Sequence, residues 1–336
     1  MDISELSDKQ LAGQRLMVGF DGTNLNSELK HLIKTIKVGG VILFSRNIST
    51  ATQVEDLCSS IQKFAASCNQ PPLFIAVDQE GGEVARLKKP FTQFPGNSKM
   101  RDENDAMLFA MITAAELNKT GINMNMAPVL DVTENAATGI MKSRSFGNDP
   151  AWVSQLGTKV IEHLQHGNVM AVAKHFPGIG STVIDSHIEM PVEAADMNRI
   201  NAHDLIPFKE AVKHDVAGIM LSHILYKNID PDWPASLSYI ISKKLLRDKM
   251  KYKGLVLTDD LDMRAITKHF DIKQAVSQIQ LSDIDLILIC QKKDNIKKAF
   301  NFLLKSFKDS SKLKKKGLKS VERIMESKNE YIGIKI

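Results

Sequence analysis

The chain has 336 residues and a formal net charge of +5, with 43% hydrophobic and 25% charged residues. These proportions are typical of a soluble globular protein and exclude a disordered or fibrous chain. No run of 18 apolar residues occurs, so we expect no membrane-spanning helix. Because the first eight residues lack a basic stretch followed by an apolar one, we expect no secretory signal and a cytoplasmic location.

The cysteines and the lysines indicate the compartment of the protein and the kind of partner it binds. The three cysteines, Cys58, Cys68 and Cys290, are odd in number and have no metal-ligand spacing, which indicates free thiols in a reducing compartment. Residues 292–319 contain eleven lysines and two aspartates. The lysines alternate with apolar residues at helical spacing, so we interpret this segment as an amphipathic helix with a solvated face and not as a nucleic-acid site.

Short apolar runs alternate with helical patterns along the whole chain. The predicted strands are Leu16–Phe20, Gly40–Phe44, Leu73–Val77, Met124–Ala127, Val169–Ala173, Gly218–Leu221, Leu255–Leu257 and Leu286–Ile289. The predicted helices are Ser27–Thr35, Ala51–Ala66, Glu103–Lys119, Trp152–His166, Asp204–Lys213, Ser242–Lys249, Lys273–Leu281 and Ile296–Ser306. Eight strands with crossover helices predict an α/β fold, a (β/α)8 barrel of the TIM type, with a possible irregularity at the first strand.

The chain contains no Gly/Ser-rich or Pro-rich linker, no internal repeat and no low-complexity segment. We therefore predict one domain over residues 1–336, in which residues from about 309 to 336 form a helical C-terminal extension.

Polar residues follow five consecutive predicted strands, at the ends where a barrel of this type places its active site. They are Asp78, Glu80 and Arg86 after the third strand, Asp131 and Arg144 after the fourth, Lys174 and His175 after the fifth, His223 after the sixth, and Asp259 and Asp260 after the seventh. Their convergence on one barrel mouth predicts a polar site.

The loop after the fifth predicted strand contains Pro177, Gly178 and Gly180, which cannot continue a strand. It also contains Asp185-Ser186-His187. This spacing lets Asp185 hydrogen-bond one ring nitrogen of His187 and leaves the other nitrogen for chemistry. An isolated pair of this kind is usually a surface hydrogen bond, and it is the surrounding strand end and glycines that indicate a site.

The segment Lys174–His187, K-H-F-P-G-I-G-S-T-V-I-D-S-H, resembles the signature of bacterial β-N-acetylglucosaminidases of glycoside hydrolase family 3, of the single-domain peptidoglycan-recycling type. The similarity extends over nearly the whole chain and includes Gly39–Asn47, Met124–Asp131 and Leu286–Cys290. The resemblance implies a barrel that hydrolyses glycosidic bonds.

The resemblance also implies roles for the charged residues. Asp259 corresponds to the nucleophile of the family, and we interpret Asp260 as the cap of the following helix. His187 corresponds to a general acid/base that Asp185 orients. An imidazole, with an ordinary pKa of about 6.5, can supply and remove a proton near neutral pH.

Five further residues match family positions that bind the hydroxyls of the N-acetylglucosamine ring. They are Asp78, Arg86, Arg144, Lys174 and His175. Structural explanations remain open: Asp78 and Arg86 as an ion pair, and Lys174 and His175 as a solvated rim. The roles of Glu80 and His223 are left open, and a buried structural histidine is an alternative for His223.

Two residues depart from the family pattern, because Ile179 and Ser181 stand where the family loop commonly has His and a small polar or acidic residue. These positions concern loop closure and aglycone preference and not the reaction itself.

The predicted function is a retaining exo-β-N-acetylglucosaminidase that removes non-reducing terminal GlcNAc from GlcNAc-anhydromuramyl peptides. The alternatives are a β-N-acetylglucosaminide phosphorylase and a catalytically inactive sugar-binding barrel; a β-glucosidase is disfavoured. The predicted partner is a small carbohydrate. We expect no cofactor, metal, nucleic acid or membrane insertion, and the oligomeric state is left open.

Overall fold

The computed structural model describes residues 3–133, 141–180, 182, 186 and 188–333. Eight parallel strands form one sheet, and we number them first to eighth in chain order. They are Leu16–Val18, Gly40–Leu43, Phe74–Val77, Met124–Asn125, Met170–Phe176, Gly218–Leu221, Leu255–Thr258 and Ile287–Ile289. Each strand lies next to its neighbour in sequence, and the first also pairs with the eighth. A parallel bridge between Leu257 and Leu286 joins the seventh strand to the start of the eighth and closes the barrel.

The predicted (β/α)8 barrel is therefore confirmed. The possible irregularity at the first strand is not observed, because this strand is parallel to both of its neighbours. All residues of the eight strands are buried, since helices cover the outer face and side chains fill the interior. This double burial explains why the strands are continuous apolar runs.

Helices connect the strands and surround the barrel. The α-helices are Asp8–Gln14, Ser27–His31, Ala51–Ser67, Glu103–Thr120, Pro150–His166, Met197–Ala202, Leu205–Lys213, Arg264–Thr267, Ile272–Leu281, Lys293–Asp309 and Ser311–Ile332. The segments Leu32–Ile36 and Ile240–Lys249 are π-helical, and Ile3–Glu5, Ser45–Asn47 and Asn97–Lys99 are short 3-10 turns. Several helices begin at a polar side chain that accepts a first-turn N–H, as Thr50, Asp102 and Asp271 do.

Two pairs of short strands lie in the loops at the carboxyl ends of the barrel strands. Gln79–Gly81 pairs antiparallel with Val84–Ala85 after the third strand. Val192–Glu193 pairs in parallel with Leu225–Tyr226, which joins the loops after the fifth and sixth strands. Both pairs therefore belong to the mouth of the barrel.

The prediction of one amphipathic helix over the lysine-rich segment is wrong in one respect, because the segment forms the helix Lys293–Asp309 and, after a break at Ser310, the beginning of the helix Ser311–Ile332. Ile296, Phe300 and Leu303 are buried against the barrel, and the lysines of the opposite face are exposed. No helix within the described ranges has both the length and the apolar character needed to cross a bilayer.

The helix Ser311–Ile332 covers the amino-terminal end of the barrel. Its Lys328 is fully buried, with Nζ 2.6 Å from Oε1 of Gln14 and 5.1 Å from the ring centroid of Phe74. Its Arg323 binds Oδ1 of Asp285 through Nε at 2.9 Å and Nη2 at 2.6 Å. The second oxygen of Asp285 accepts from Arg247 and from the backbone N–H of Val256. The last helix is thus fastened to the barrel by polar contacts of Lys328 and Asp285, which are fully buried, and of Arg323, which is partly buried.

Burial lowers the pKa of Lys328 well below its ordinary value, in spite of the Gln14 oxygen and the Phe74 ring. In the unfolded chain this lysine keeps its proton up to about pH 10. The unfolded state therefore binds more protons than the folded state, and folding becomes more favourable as the pH rises. We expect the unfolding free energy of the wild type, minus that of Lys328→Met, to become more positive from pH 7 to pH 9, by up to about 1.4 kcal/mol per pH unit.

Urea denaturation at several pH values measures this slope. The control is Lys319→Met, which changes an exposed lysine of the same helix and should leave the pH dependence of stability unchanged. Parallel curves for the wild type and Lys328→Met would show that Lys328 stays charged in the folded protein.

Candidate active site

A cavity of about 220 Å³ opens at the carboxyl ends of the barrel strands. Its walls contain all of the predicted site residues that the structure describes, namely Asp78, Arg86, Arg144, Lys174, His175 and Asp259. His223 and Asp260 also line it. Asp185, His187 and Ser181 lie outside the described residues. Their neighbours Ile179, Thr182 and Ser186 line the same cavity, so the loop between the fifth strand and residue 188 borders this space.

Charged side chains from three neighbouring strand ends form one cluster in the cavity wall. Lys174 Nζ lies 2.8 Å from Oδ1 of Asp78 and 2.6 Å from Oε1 of Glu80. Arg144 binds Glu80 with two parallel hydrogen bonds, Nε to Oε2 at 2.9 Å and Nη2 to Oε1 at 2.8 Å. Arg86 Nη2 lies 3.4 Å from Oδ2 of Asp78. Three cations thus balance two carboxylates, and the cluster carries a formal charge of +1.

The opposite charges within the cluster shift the pKa of Asp78, Glu80 and Lys174 toward the ionised form. Burial alone would raise the pKa of Asp78, but Lys174 and Arg86 lower it to about 2. The pKa of Glu80 is likewise lowered despite burial, by Lys174 and Arg144. Burial would also lower the pKa of Lys174, yet Asp78 and Glu80 raise it above its ordinary value. These groups stay ionised over the whole working pH range, so they are suited to binding and not to proton transfer.

Glu80 holds the cluster together. Its side chain is 1% exposed, and its carboxylate contacts both Lys174 and Arg144. Glu83, three residues further along, is exposed and accepts a hydrogen bond from the Ser143 hydroxyl. The suggested ion pair of Asp78 with Arg86 exists, and both of its members also line the cavity, so the structural and the binding explanations are compatible.

Two adjacent carboxylates end the seventh strand, and they differ in their contacts. Asp259 accepts the backbone N–H of Asp260 at 2.8 Å. Asp260 accepts the backbone N–H groups of Asp262 and Cys290, both at 3.0 Å. The prediction that Asp260 caps the next helix is wrong. That helix begins at Arg264 after an intervening turn, without a side-chain cap, and Asp260 instead ties the seventh strand to the end of the eighth.

The two carboxyl groups also differ in pKa. Burial would raise the pKa of Asp259, but His223, His175 and the backbone N–H of Asp260 together lower it. Burial raises the pKa of Asp260 to about 7, with Asp262 and Asp259 adding their negative charges. Near neutral pH, Asp259 is therefore the ionised member of this pair of carboxyl groups.

His223 supports this arrangement from the sixth strand end. Its Nδ1 lies 2.7 Å from the Ser236 hydroxyl, and its Nε2 lies 2.9 Å from the backbone oxygen of Asp260. The ring is buried and engaged at both nitrogens, which agrees with the alternative of a structural histidine. Its effect on the site is to hold the Asp259–Asp260 turn and to stabilise the charge of Asp259.

His175 is oriented by Asp131, a residue of the fourth strand end. Nδ1 of His175 lies 2.8 Å from Oδ2 of Asp131, and Oδ1 of Asp131 accepts the backbone N–H groups of His175 and Ile179. The Lys174–His175 peptide bond is cis. Asp131 thus connects a cavity residue with the beginning of the loop that leads to Asp185.

Close backbone contacts hold the beginning of this loop. Residues 177–180 are buried, and the hydroxyl of Tyr226 donates to the backbone oxygen of Gly178. Gly178 has φ 127°, and a Cβ there would lie 2.8 Å from Cβ of Asp204. A Cβ on Gly180 would lie 1.8 Å from the backbone oxygen of Val132. Both positions require glycine because a side chain has no space.

The far end of the loop is bound to the segment that follows Asp259. The backbone N–H of Ala265 donates to the backbone oxygen of Ser186 at 3.2 Å. The carboxylate of Glu189 pairs with Lys268 and lies 3.0 Å from Nε2 of His269. The beginning of the loop that contains Asp185 and His187 is therefore bound to Asp131, and its end is bound to the segment that follows the seventh strand. Among the described residues, no group of three or more His, Cys, Asp and Glu side chains fits a metal ion.

A closed parallel barrel with its polar cavity at the carboxyl ends of the strands defines the class of (β/α)8 barrel enzymes. Residues 6–326 match the N-terminal domain of glycosyl hydrolase family 3, so the chain belongs to this family. It is 35% identical to β-hexosaminidase A of Pseudoalteromonas piscicida over 84% of this chain and 54% of that protein. It is also 35% identical to a β-hexosaminidase of Idiomarina loihiensis, over 82% of this chain and 83% of that protein.

A solved structure of a glycoside hydrolase family 3 β-N-acetylglucosaminidase from Paenibacillus sp. str. FPU-7 superimposes with a TM-score of 0.94 at 35% identity. The alignment covers 97% of this chain and 63% of that one. The chain thus spans between half and two thirds of two of these relatives, the Pseudoalteromonas and Paenibacillus proteins, and most of the length of the Idiomarina one.

Removing Glu80 should destabilise the protein, because Arg144 and Lys174 would lose their shared counterion in a buried place. We expect Glu80→Ala to lower the free energy of unfolding by about 3–5 kcal/mol, the usual cost of breaking a buried ion pair. Glu83→Ala, the same change at an exposed site, should alter it by less than about 0.5 kcal/mol. Urea denaturation of both variants tests this, and equal stabilities would mean that water replaces Glu80 without cost.

Proposed function

We propose that this protein is a retaining exo-β-N-acetylglucosaminidase that removes non-reducing terminal GlcNAc through a covalent glycosyl–Asp259 intermediate. The observation that carries the proposal is the environment of Asp259. This carboxylate stands at a strand end in the wall of the cavity, and neighbouring histidines lower its pKa. The names of the relatives, β-hexosaminidase and β-N-acetylglucosaminidase, support the choice of sugar.

In this mechanism Asp259 attacks the anomeric carbon while the leaving oxygen is protonated, and water then attacks the glycosyl–Asp259 ester. Asp259 suits the role of nucleophile better than Asp260. A nucleophile must be ionised, whereas Asp260 has a pKa of about 7 and already accepts two backbone N–H groups. Within the residues that the structure describes, Asp259 accepts one hydrogen bond, from the N–H of Asp260.

We assign the sugar hydroxyls to Asp78, Arg86, Arg144, Lys174 and His175. Support comes from their common location in the cavity wall and from their fixed charges. Charged groups with preset directions favour one arrangement of hydroxyls over its epimers, because a misplaced hydroxyl leaves a buried charge without its hydrogen bond.

We assign the general acid/base to His187 and its orientation to Asp185. The sequence D-S-H supports this assignment, and so does the position of Ser186, the residue between the two, in the cavity wall. His187 would protonate the leaving oxygen and then remove a proton from the attacking water.

We further propose that the natural substrates are GlcNAc-anhydromuramyl peptides from wall recycling, and that the enzyme acts in the cytoplasm as one domain over residues 1–336. The three free cysteines support a reducing compartment, and the buried contacts of Lys328 support a single unit that includes the last helix. Comparing kcat/KM for a GlcNAc-anhydromuramyl peptide and for diacetylchitobiose tests the choice of substrate. Preference for the chitobiose would refute it.

The pH profile distinguishes the two carboxylates. Because the pKa of Asp259 is below its ordinary value, kcat/KM for nitrophenyl β-GlcNAc should show no loss attributable to the nucleophile between pH 7 and pH 5. A nucleophile with the pKa of Asp260 would lose activity below pH 7.

We also expect Asp259→Ala to be inactive and Asp260→Asn to keep at least a tenth of the wild-type rate. The reverse result would make Asp260 the nucleophile.

Replacing His187 by Ala should impair a natural disaccharide far more than nitrophenyl β-GlcNAc, because nitrophenol leaves with little protonation. With the nitrophenyl substrate the glycosyl–Asp259 intermediate should accumulate, and azide should restore turnover as β-glycosyl azide, since azide needs no general base. Asp185→Ala should show a weaker form of the same behaviour. Rate measurements with and without azide test this.

Equal losses on both substrates without azide rescue would exclude His187 as the acid/base. The same assays with added phosphate identify the acceptor. Formation of GlcNAc-1-phosphate in place of GlcNAc would make the enzyme a phosphorylase.

A further inference from the structure

Asp131 is a buried carboxylate that touches both the cavity and its loop. It is 0% exposed and makes three contacts, two with His175 in the fifth strand and one with Ile179 in the loop that follows. Oδ1 accepts the N–H of His175 at 3.2 Å and the N–H of Ile179 at 2.9 Å, and Oδ2 lies 2.8 Å from Nδ1 of His175.

These contacts determine where the hydrogen of the His175 ring lies. A backbone N–H can only donate, so Oδ1 is committed as an acceptor of two hydrogen bonds. A carboxylate accepts at its second oxygen as well, and the short contact then requires a hydrogen on Nδ1 of His175. In the neutral ring the second nitrogen, Nε2, is consequently an acceptor. Within the described part of the chain, nothing hydrogen-bonds this atom.

The neighbouring groups make an acceptor at this place valuable. Arg86, Arg144 and Lys174 only donate, and Asp78 and Glu80 already accept from them. A sugar hydroxyl that accepts a hydrogen bond from one of these cations still has its own hydrogen to donate, and this hydrogen needs an acceptor. Nε2 of His175 offers that hydrogen an acceptor.

We propose that Asp131 is a positioning residue for the active site. It holds His175 with its hydrogen on Nδ1 and thereby presents Nε2 to a sugar hydroxyl as an acceptor. Its other oxygen fixes the backbone at Ile179, so one carboxylate sets the direction of the sugar-binding imidazole and the starting point of the loop. The sugar-binding part of this inference rests on the function proposed above; the state of the ring does not.

Asp131→Asn tests the proposal because the amide has a forced orientation. The two backbone N–H groups require the amide oxygen at the Oδ1 position. The NH₂ group must then face Nδ1 of His175, which has to accept. The hydrogen of the ring should move to Nε2, and the site should lose its acceptor while keeping its shape.

The ring state can be read directly from ¹⁵N-histidine-labelled protein by long-range ¹H–¹⁵N NMR. The chain has nine histidines, and His175 is assigned by the signal that disappears in His175→Gln. We expect a hydrogen on Nδ1 and none on Nε2 in the wild type at pH 9, and an Nε2–H ring in Asp131→Asn. The KM for nitrophenyl β-GlcNAc should rise at least tenfold in this variant, with a smaller change in kcat.

Asp230→Asn is the matched control. Asp230 is also buried, its Oδ1 also accepts two backbone N–H groups, from Asp232 and Trp233, and its Oδ2 accepts from the Ser238 hydroxyl. A hydroxyl can accept as well as donate, so this carboxylate tolerates an amide. The control should change neither the His175 spectrum nor KM.

A bare Nδ1 on His175 in the wild type would overturn the proposal without any variant, even if Asp131→Asn failed to fold. An unchanged ring in folded Asp131→Asn, or a KM within twofold of the wild type, would also overturn it. If the protein hydrolysed no GlcNAc substrate, the proposed function would fail, whereas the NMR result would still decide the role of Asp131.

Discussion

The active site depends on the mutual neutralisation of charges at the ends of three adjacent strands. Asp78 and Glu80 follow the third strand, Arg144 follows the fourth and Lys174 lies at the end of the fifth. Taking any one of these groups out of water is costly unless its partners are already in position. Their pairing therefore requires the third, fourth and fifth strands to keep one register. The same register brings together the residues to which we assign the sugar hydroxyls, so the geometry of the candidate site depends on the order of these strands.

A second constraint concerns the loop that contains Asp185 and His187. Its beginning is fixed by Asp131 and Tyr226, and glycines fit where no side chain has space. Its end is fixed through Ser186 and Glu189 to the segment after the seventh strand. The segment after the seventh strand, which contains Asp259, thus supports the far end of the loop on which we place the acid/base. One backbone hydrogen bond and the side-chain contacts of Glu189 thus connect the two segments directly.

Much of this architecture could be predicted from the sequence because the signals are local. Each barrel strand is a short apolar run, and polar residues directly follow the strands, as at Asp78, Lys174 and Asp259. The wrong prediction, that Asp260 caps a helix, arose because a turn separates it from the helix at Arg264. Its partner Cys290 lies 30 positions away, and the pairing depends on the closure of the barrel.

The roles of Glu80 and Asp131 were harder to predict for the same reason. An acidic residue after a strand shows that a carboxylate is present but not which cation from another strand it meets. Glu80 and Arg144 are 64 positions apart and Asp131 and His175 are 44 positions apart, so both pairings depend on how the barrel and its loops assemble. A search for charged residues of opposite sign at adjacent strand ends would have found both pairs.

Closure of the barrel also has a consequence for how the protein is made. The first strand, Leu16–Val18, needs the eighth, Ile287–Ile289, as its second neighbour, and the base of the barrel is covered only when Lys328 arrives. At roughly 5–20 residues per second, a ribosome needs on the order of 15–60 s to synthesise the chain between these points. During that time one edge of the first strand has no partner and the apolar interior is open at its base. An unfinished chain therefore exposes an unpaired strand edge and apolar surface, the features that make incomplete chains prone to aggregate.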